Sequence, residues 1–283
     1  MTTVAVTGAT GFIGRHVLKE LAGRDVEVIA TTRSDRDDLP AQANLRWVTL
    51  DLACPPDDAF EQLGRPDVLI HLAWGGLPNY RALRHFEVEL PLHYAFLRQL
   101  IDEGLKSLVV TGTCLEYGLR AGALSESLVP EPVTPYGFAK DTLRRQLEYL
   151  HRSRDAAFDL TWARLFYTYG DGQAHASLLP QLRSAVEQGL PAFRMSGGEQ
   201  LRDYLPVADV ARNLVALAVR GKGAGMVNVC AGAPVSVRRL VEQWLREHRW
   251  NIELDLGHYP YPDYEPLAFW GDRSKLAGLL ENS

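Results

Sequence analysis

Three glycines within seven residues, Gly8-Ala9-Thr10-Gly11-Phe12-Ile13-Gly14, follow a short apolar run, Thr3-Val4-Ala5-Val6-Thr7, near the start of this 283-residue chain. The run is apolar and β-branched without alternation, as in a strand buried on both faces of a parallel sheet. From Phe12 to Leu21 the apolar residues take helical spacing. The glycines therefore join a strand to a helix. There, glycine permits a tight turn and lets backbone N–H groups approach a phosphate closely, and the helix start adds partial positive charge. A strand, a glycine turn and a helix in this order form a cradle for the pyrophosphate of a dinucleotide.

The alternation continues. Strand-like runs cover 26–31, 45–50, 68–73, 107–111 and 160–165. Helical patterns cover 136–151 and 85–102, the latter with Phe86, Leu90, Tyr94, Leu97 and Ile101 about a turn apart. This predicts an α/β fold, a doubly wound parallel sheet of the Rossmann kind, through about residue 166. Beyond Tyr167 the pattern loosens: helices over 178–188 and 207–219, a strand over 226–230, and a Pro- and Tyr-rich irregular stretch at 257–266. The predicted division is a dinucleotide-binding domain, 1–166 plus about 205–229, and a smaller C-terminal substrate lobe, about 167–204 plus 230–283.

A formal net charge of −5 gives no basic footprint for nucleic acid or an anionic membrane surface. No apolar run reaches the length of a membrane span, and the N-terminus enters strand-like sequence without a signal-peptide pattern. Cys54, Cys114 and Cys230 are too scattered for a disulfide framework or a zinc site. A metal-free cytoplasmic protein is the expectation.

Tyr136-Gly137-Phe138-Ala139-Lys140 opens a helix directly after Pro135, with Tyr136 and Lys140 one turn apart on one face. A free tyrosine titrates near pH ~10 and needs help to exchange protons near neutrality. An ammonium about 4 Å away contributes up to ~4 kcal/mol at an effective dielectric near 20, about 3 pKa units at most.

The stretch from Thr7 to Gly14, T-G-A-T-G-F-I-G, resembles the fingerprint of the extended short-chain dehydrogenase/reductase family, and later motifs extend the resemblance over nearly the whole chain. It implies a nicotinamide cofactor at Gly8, Thr10, Gly11, Phe12, Ile13 and Gly14, with Asp51 and Leu52 beside the adenine. Leu72, Ala73 and Trp74 run beneath the cofactor, and Tyr136 and Lys140 meet its far end. It further implies a catalytic hydroxyl four residues before a Tyr-Gly pair. In Thr111-Gly112-Thr113-Cys114-Leu115-Glu116-Tyr117-Gly118 that residue is Thr113, with Thr111 a rival two residues too early. Gln200 to Val210 resembles the family segment whose arginine contacts a substrate diphosphate. The implied substrate set is Thr113, Cys114, Tyr136 and Arg202, with Cys114 a small buried hydrophobe of no catalytic role. A homodimer through helices 85–102 and 136–151 is implied too; Leu143, Leu147 and Leu150 could serve it or pack inward.

An NAD site would place an acid at the end of the second strand to bond the ribose hydroxyls. Thr31-Thr32-Arg33-Ser34 has Thr32 there instead. Arg33, beside Ser34, could grip a 2′-phosphate, and Arg36 and Arg15 are further candidates. NADP(H) is the expected cofactor, with NAD(H) the second choice.

Members of this family that dehydrate sugars carry an Asp-Glu pair after the catalytic hydroxyl; Cys114 and Leu115 stand there. A second route, through a Cys and a His, would need them at Leu115 and Ser177; Cys114 and His175 are out of register. The expectation is therefore an NADPH-dependent 4-ketoreductase acting on a nucleotide-linked 4-keto-6-deoxy sugar. The alternatives are an epimerase on the same fold and a non-catalytic NADP(H)-binding regulator. Two departures mark the substrate side: Tyr167 stands where the family has a phosphate-contacting Asn, and Pro262 to Glu265 replace an Arg-x-Gly-Asp. Tyr259, Tyr261, Tyr264, Phe269 and Trp270 could stack on a nucleotide base or pack inward.

Overall fold

The computed structural model describes residues 1–34, 39–153 and 158–281. β1 (Thr2–Thr7) leads through the glycine turn into α1 (Phe12–Leu21), followed by β2 (Val26–Thr32), β3 (Leu45–Thr49), the single turn α2 (Ala59–Gln62) and β4 (Val68–His71). A π-helical turn, His85–Glu89, runs into α3 (Leu90–Asp102), and β5 (Ser107–Thr113) ends in a 3₁₀ turn, Cys114–Tyr117. Next come β6 (Gly122–Leu124), α4 (Pro135–Ser153), β7 (Asp159–Leu165), β8 (Tyr167–Tyr169), α5 (Leu178–Glu187) and β9 (Ala192–Arg194). β10 (Leu201–Pro206), α6 (Val207–Val219), β11 (Gly225–Val229) and β12 (Pro234–Ser236) follow. The chain closes with α7 (Val237–His248), β13 (Glu253–Asp255), β14 (Phe269–Gly271) and α8 (Ser274–Glu281).

Seven strands form one parallel sheet in the order β11-β7-β5-β4-β1-β2-β3. Val17, Leu18 and Leu21 of α1 cover one face with Val210 and Leu214 of α6 and Leu276 of α8. Phe60 of α2, Phe96 and Leu100 of α3, and Leu143, Leu147 and Leu150 of α4 cover the other. The doubly wound sheet is thus present as expected. The leucine stripe of α4 belongs to this core, which removes it as a dimer face.

Strand order reverses at β1, whose neighbours are β4 and β2. In open α/β sheets a ligand crevice lies at that point, beyond the carboxyl ends of the strands. The remaining strands make three small sheets, β12-β10-β8, β13-β9 and β14-β6. A separate cluster joins Leu179 and Leu182 of α5 to Phe193, Met195 and, from α7, Leu240, Val241 and Trp244.

The helix expected over 85–102 begins instead as a π turn. The wider turn inserts a residue into the helical register. With it, His85, Glu89 and His93 become buried polar groups, while Phe86, Leu90 and Tyr94 stay half-buried.

Candidate active site

The turn after β1 closes with the Gly11 N–H donating to Gly8 O at 3.0 Å. Gly8 has φ +70, and a Cβ there would lie 2.7 Å from Ala73 N, so this turn touches the segment leaving β4. A Cβ on Gly14 would lie 2.2 Å from Gly8 O. Both positions exclude a side chain. Gly11 is exposed and starts α1 with no side-chain cap and no acid in the first turn. The N–H groups of Phe12, Ile13 and Gly14 are therefore left without a side-chain partner, which suits an anionic phosphate. Thr10 is half-buried, and Thr10 O and Gly11 O both accept from Arg15.

At the end of β2, buried Thr32 donates its hydroxyl to Ser34 O (2.9 Å), closing a turn that leaves Arg33 and Ser34 exposed. Arg36 lies outside the described residues. Asp51 is exposed and accepts from Ala53 N–H at 3.0 Å; Leu52 is half-buried. These groups, with Leu72, Ala73 and Trp74 beyond β4, gather along the carboxyl edge of the sheet.

Thr113 ends β5 on the same edge. Thr134 Oγ1 accepts from Gly137 N–H (3.1 Å) at the start of α4, and Tyr136 N–H donates to Tyr80 O (3.1 Å). A Cβ on Gly137 would lie 2.6 Å from Leu115 O. The missing side chain lets α4 press onto the 3₁₀ turn, which brings Tyr136 beside Thr113. Lys140 is buried, donates to Thr111 O at 2.8 Å and places its ammonium 4.0 Å from the Trp74 ring centre. The Thr111 hydroxyl itself donates to His71 O.

The electrostatics correct the expected lysine–tyrosine arithmetic. Burial raises the Tyr136 phenol above its ordinary range, helped by Tyr80, Glu116 and Cys114, while the Thr113 hydroxyl works the other way. Burial also brings Lys140 down to about 7, against the pull of Glu116 and Glu89. Desolvation of both charged forms outweighs the single pairwise attraction considered from sequence.

Around Trp74 runs a chain of buried polar groups that starts from His71 at the end of β4. Thr7 Oγ1 meets His71 Nδ1 (2.8 Å), His71 Nε2 meets His93 Nδ1 (2.9 Å), and His93 Nε2 lies 3.3 Å from Glu89 Oε2. Glu89 Oε2 accepts from Gly75 N–H (2.9 Å). His93 above all, with Arg84 and Gly75, holds the Glu89 carboxyl down at about 2. Trp74 stacks on His93 at 4.5 Å and donates its indole N–H to His85 Nδ1 (3.1 Å).

Arg202, buried on β10, donates to Leu201 O (2.9 Å) and Leu267 O (3.0 Å), and its Nε lies 3.3 Å from Glu265 Oε2. Tyr167 also donates its hydroxyl to Glu265. Neither acid near Arg202 in sequence pairs with it: Asp203 accepts from Ala231, Gly232 and Gly271 N–H, and Asp209 pairs with Arg212. Glu265 came unannounced from the irregular stretch. Buried Cys114 packs with Tyr117, Phe166 and Phe269, and burial pushes its thiol above the ordinary range, as befits an apolar wall. A cleft of about 480 Å³, lined by His175, Gln181, Phe193, Arg194 and Tyr259 among others, opens beside α5 and β9.

Sheet, cradle and Thr–Tyr–Lys set define a class: an α/β oxidoreductase built around a nicotinamide dinucleotide. The NAD dependent epimerase/dehydratase family matches residues 4–230, and the chain belongs to that family, with the short-chain dehydrogenase/reductase type of enzyme. It is 29% identical over 269 residues to a dTDP-6-deoxy-L-talose 4-dehydrogenase (NAD(+)) of Aggregatibacter actinomycetemcomitans, covering 95% of this chain and 98% of that one. A GDP-6-deoxy-D-mannose reductase of Pseudomonas aeruginosa is 28% identical over 251 residues, 84% of this chain and 77% of its own. Among solved structures, MoeE5 in complex with UDP-glucuronic acid and NAD superimposes with a TM-score of 0.82 at 28% identity, covering 99% of this chain and 92% of that one.

Proposed function

We propose that this enzyme reduces the keto group of a nucleotide-linked 4-keto-6-deoxy sugar, with NADP(H) as the preferred cofactor. The observation that carries the reading is the pairing of a presence with an absence. Thr113, Tyr136 and Lys140 converge on the carboxyl edge of the sheet, while Cys114 and Leu115, next in line, are buried side chains unable to act as the acid and base of a dehydration. The names of the two relatives, a 6-deoxy-talose 4-dehydrogenase and a 6-deoxy-mannose reductase, describe redox chemistry on 6-deoxy sugars and support the same reading.

The glycine cradle and the start of α1 would hold the pyrophosphate, and Asp51 and Leu52 the adenine side. Leu72, Ala73 and Trp74 would line the path to the nicotinamide. Bound there, the cofactor supplies the hydride. The Thr113 hydroxyl donates a hydrogen bond to the carbonyl oxygen and stabilises the charge developing on it. Tyr136, kept protonated by burial, gives that oxygen its proton. Lys140, one turn along α4 from Tyr136, would bind the nicotinamide ribose with its ammonium. Arg202 supplies positive charge for the diphosphate, and Cys114 an apolar wall. The smaller lobe, about 167–204 plus 230–283, would take the nucleotide end, with the 480 Å³ cleft beside Tyr259 as its seat. The absence of a carboxylate at Thr32 and the exposed Arg33 support NADP(H); the NAD(+) in the talose relative's name keeps NAD(H) as the second cofactor.

The test is a panel of nucleotide-linked 4-keto-6-deoxyhexoses with NADPH and with NADH, followed by loss of reduced nicotinamide. Turnover with at least one sugar, faster with NADPH, is expected; no turnover with any of them overturns the reading. An epimerase would interconvert sugars without net consumption of cofactor. Tyr136→Phe should lower kcat by about 10²–10⁴-fold while NADPH still binds, whereas a regulator would be indifferent to it.

A further inference from the structure

One buried carboxylate beside Thr113 takes no part in the chemistry above. Glu116 is fully buried in the 3₁₀ turn that follows β5. Its Oε1 accepts from the Thr113 backbone N–H (2.8 Å) and from Trp162 Nε1 (3.0 Å). Its Oε2 accepts from Arg164 Nε (2.6 Å) and from the same indole (3.2 Å). In return Thr113 Oγ1 accepts from Leu115 N–H at 3.3 Å, so the two ends of the turn lock each other. Gly112 makes the room: a Cβ there would lie 2.4 Å from Glu116 Oε1 and 2.2 Å from Trp162 Nε1.

Stability is a weak reason for this arrangement. Arg164 is fully buried, and among the described residues its two terminal nitrogens find no hydrogen-bond partner; its guanidinium lies 4.5 Å from the Tyr117 ring centre and 3.9 Å from Asp141. Well-packed apolar side chains can replace a buried ion pair without loss of stability. What they cannot do is hold the Thr113 N–H, and with it the direction of the Thr113 hydroxyl. The same turn carries Leu115 O, against which Gly137 packs, so it also seats the first turn of α4 with Tyr136.

We propose that Glu116 is a positioning residue of the active site: its clamp on the 113–117 turn aims the Thr113 hydroxyl and the Tyr136 phenol at one substrate oxygen. This rests on the reading of Thr113 and Tyr136 as the groups that meet the substrate carbonyl. The charge of the carboxylate also helps Lys140 keep its proton.

Two double variants separate the clamp from the charge. Glu116→Val with Arg164→Leu fills the space without an acceptor for Thr113. Glu116→Gln with Arg164→Met removes both charges but keeps a side-chain oxygen in place. The first should fold, bind NADPH as wild type does and lose about 100-fold in kcat, the scale of a misplaced catalytic group. The second, assayed well below pH 7 where Lys140 keeps its proton without the Glu116 charge, should stay within about fivefold of wild type, because geometry and not charge is then at stake. Wild-type kcat in the folded Val/Leu variant, or an equal loss in both, overturns the proposal. Should Val/Leu not fold, Glu116→Asp, one methylene short of the Thr113 N–H, replaces it with the same two outcomes. Crystal structures of the variants give a second readout: the Thr113 hydroxyl should be displaced in Val/Leu and in place in Gln/Met. If the wild type turns over no keto sugar, ketoreduction falls by itself, and an unmoved Thr113 hydroxyl in Val/Leu still overturns the clamp.

Discussion

At the scale of single residues, Lys140 is the group whose charge state is most finely set. Burial takes it down to about 7. The carboxylates of Glu116 and Glu89 hold its proton on, His71 and His93 are near enough to feel its charge, and the Trp74 face and Thr111 O receive the ammonium. Tyr136 stays protonated across the same range, so it adds no limb near neutrality. The pH dependence of kcat/KM reports groups of the free enzyme. It should therefore fall as pH rises through about 7, tenfold per unit once Lys140 is mostly neutral. Glu89→Gln removes a negative charge, disfavours the ammonium and should move that limb to lower pH. A limb that stays, or moves up, in the variant's pH profile would contradict the assignment. Linkage gives the stability counterpart. Between about pH 7 and the ordinary lysine value of 10.5, the unfolded chain binds a proton that the folded chain does not, so this residue makes stability rise with pH across that window. Lys140→Met should accordingly raise the melting temperature below pH 7, where the buried ammonium costs most.

At the scale of elements, the active site depends on how closely α4 approaches the turn after β5. Gly137 sits in the first turn of a helix, where alanine is ordinarily the better residue by about 1 kcal/mol. Here a Cβ would meet Leu115 O at 2.6 Å, so the sign reverses. Gly137→Ala should cost about 1–3 kcal/mol in a denaturant titration and lower kcat more than it weakens NADPH binding, because it separates Tyr136 from Thr113. Unchanged stability would mean that the helix slides at no cost. The sequence made the large elements legible wherever a local pattern decides them. Six of the seven strands of the main sheet lie within the first 165 residues, each a short run rich in apolar and β-branched residues, and the α6 prediction, 207–219, coincides with Val207–Val219. Three-residue strands such as β6, β9 and β13 carry no such pattern, since each exists only by pairing with a distant partner. α7 is a different case. Val237, Leu240, Val241, Trp244 and Leu245 follow helical spacing after a Ser236 cap, a local signal that marks this helix in the sequence. In the site, motif residues were readable because backbone geometry fixes them locally. Glu265, Glu116, Tyr80 and the His71–His93–Glu89 chain were not, because their meaning lies in partners that only the fold brings near.

At the scale of the whole molecule, α4 divides its surface between two duties. Leu143, Leu147 and Leu150 are spent on the core, and the opposite stripe runs through Phe138, Arg145, Tyr149 and Arg152. Phe138 is 51% exposed and Tyr149 70%, and Val88 in the turn before α3 is 47% exposed. Phe86 and Phe138 meet edge to face at 6.0 Å, so the outer surfaces of the two helices form one continuous patch. We propose that two copies of the chain pair through this patch, α3 and α4 of one against those of its partner. A stable interface of this kind needs roughly 800 Å² per partner, which two helices of this length can supply. The cofactor cradle, at the carboxyl edge of β1, lies on other elements and should survive loss of the interface. Sedimentation equilibrium of the wild type should give a dimer, and Phe138→Glu with Tyr149→Glu a folded monomer that still binds NADPH. A monomeric wild type, or a dimer that survives both substitutions, would place the interface elsewhere or remove it.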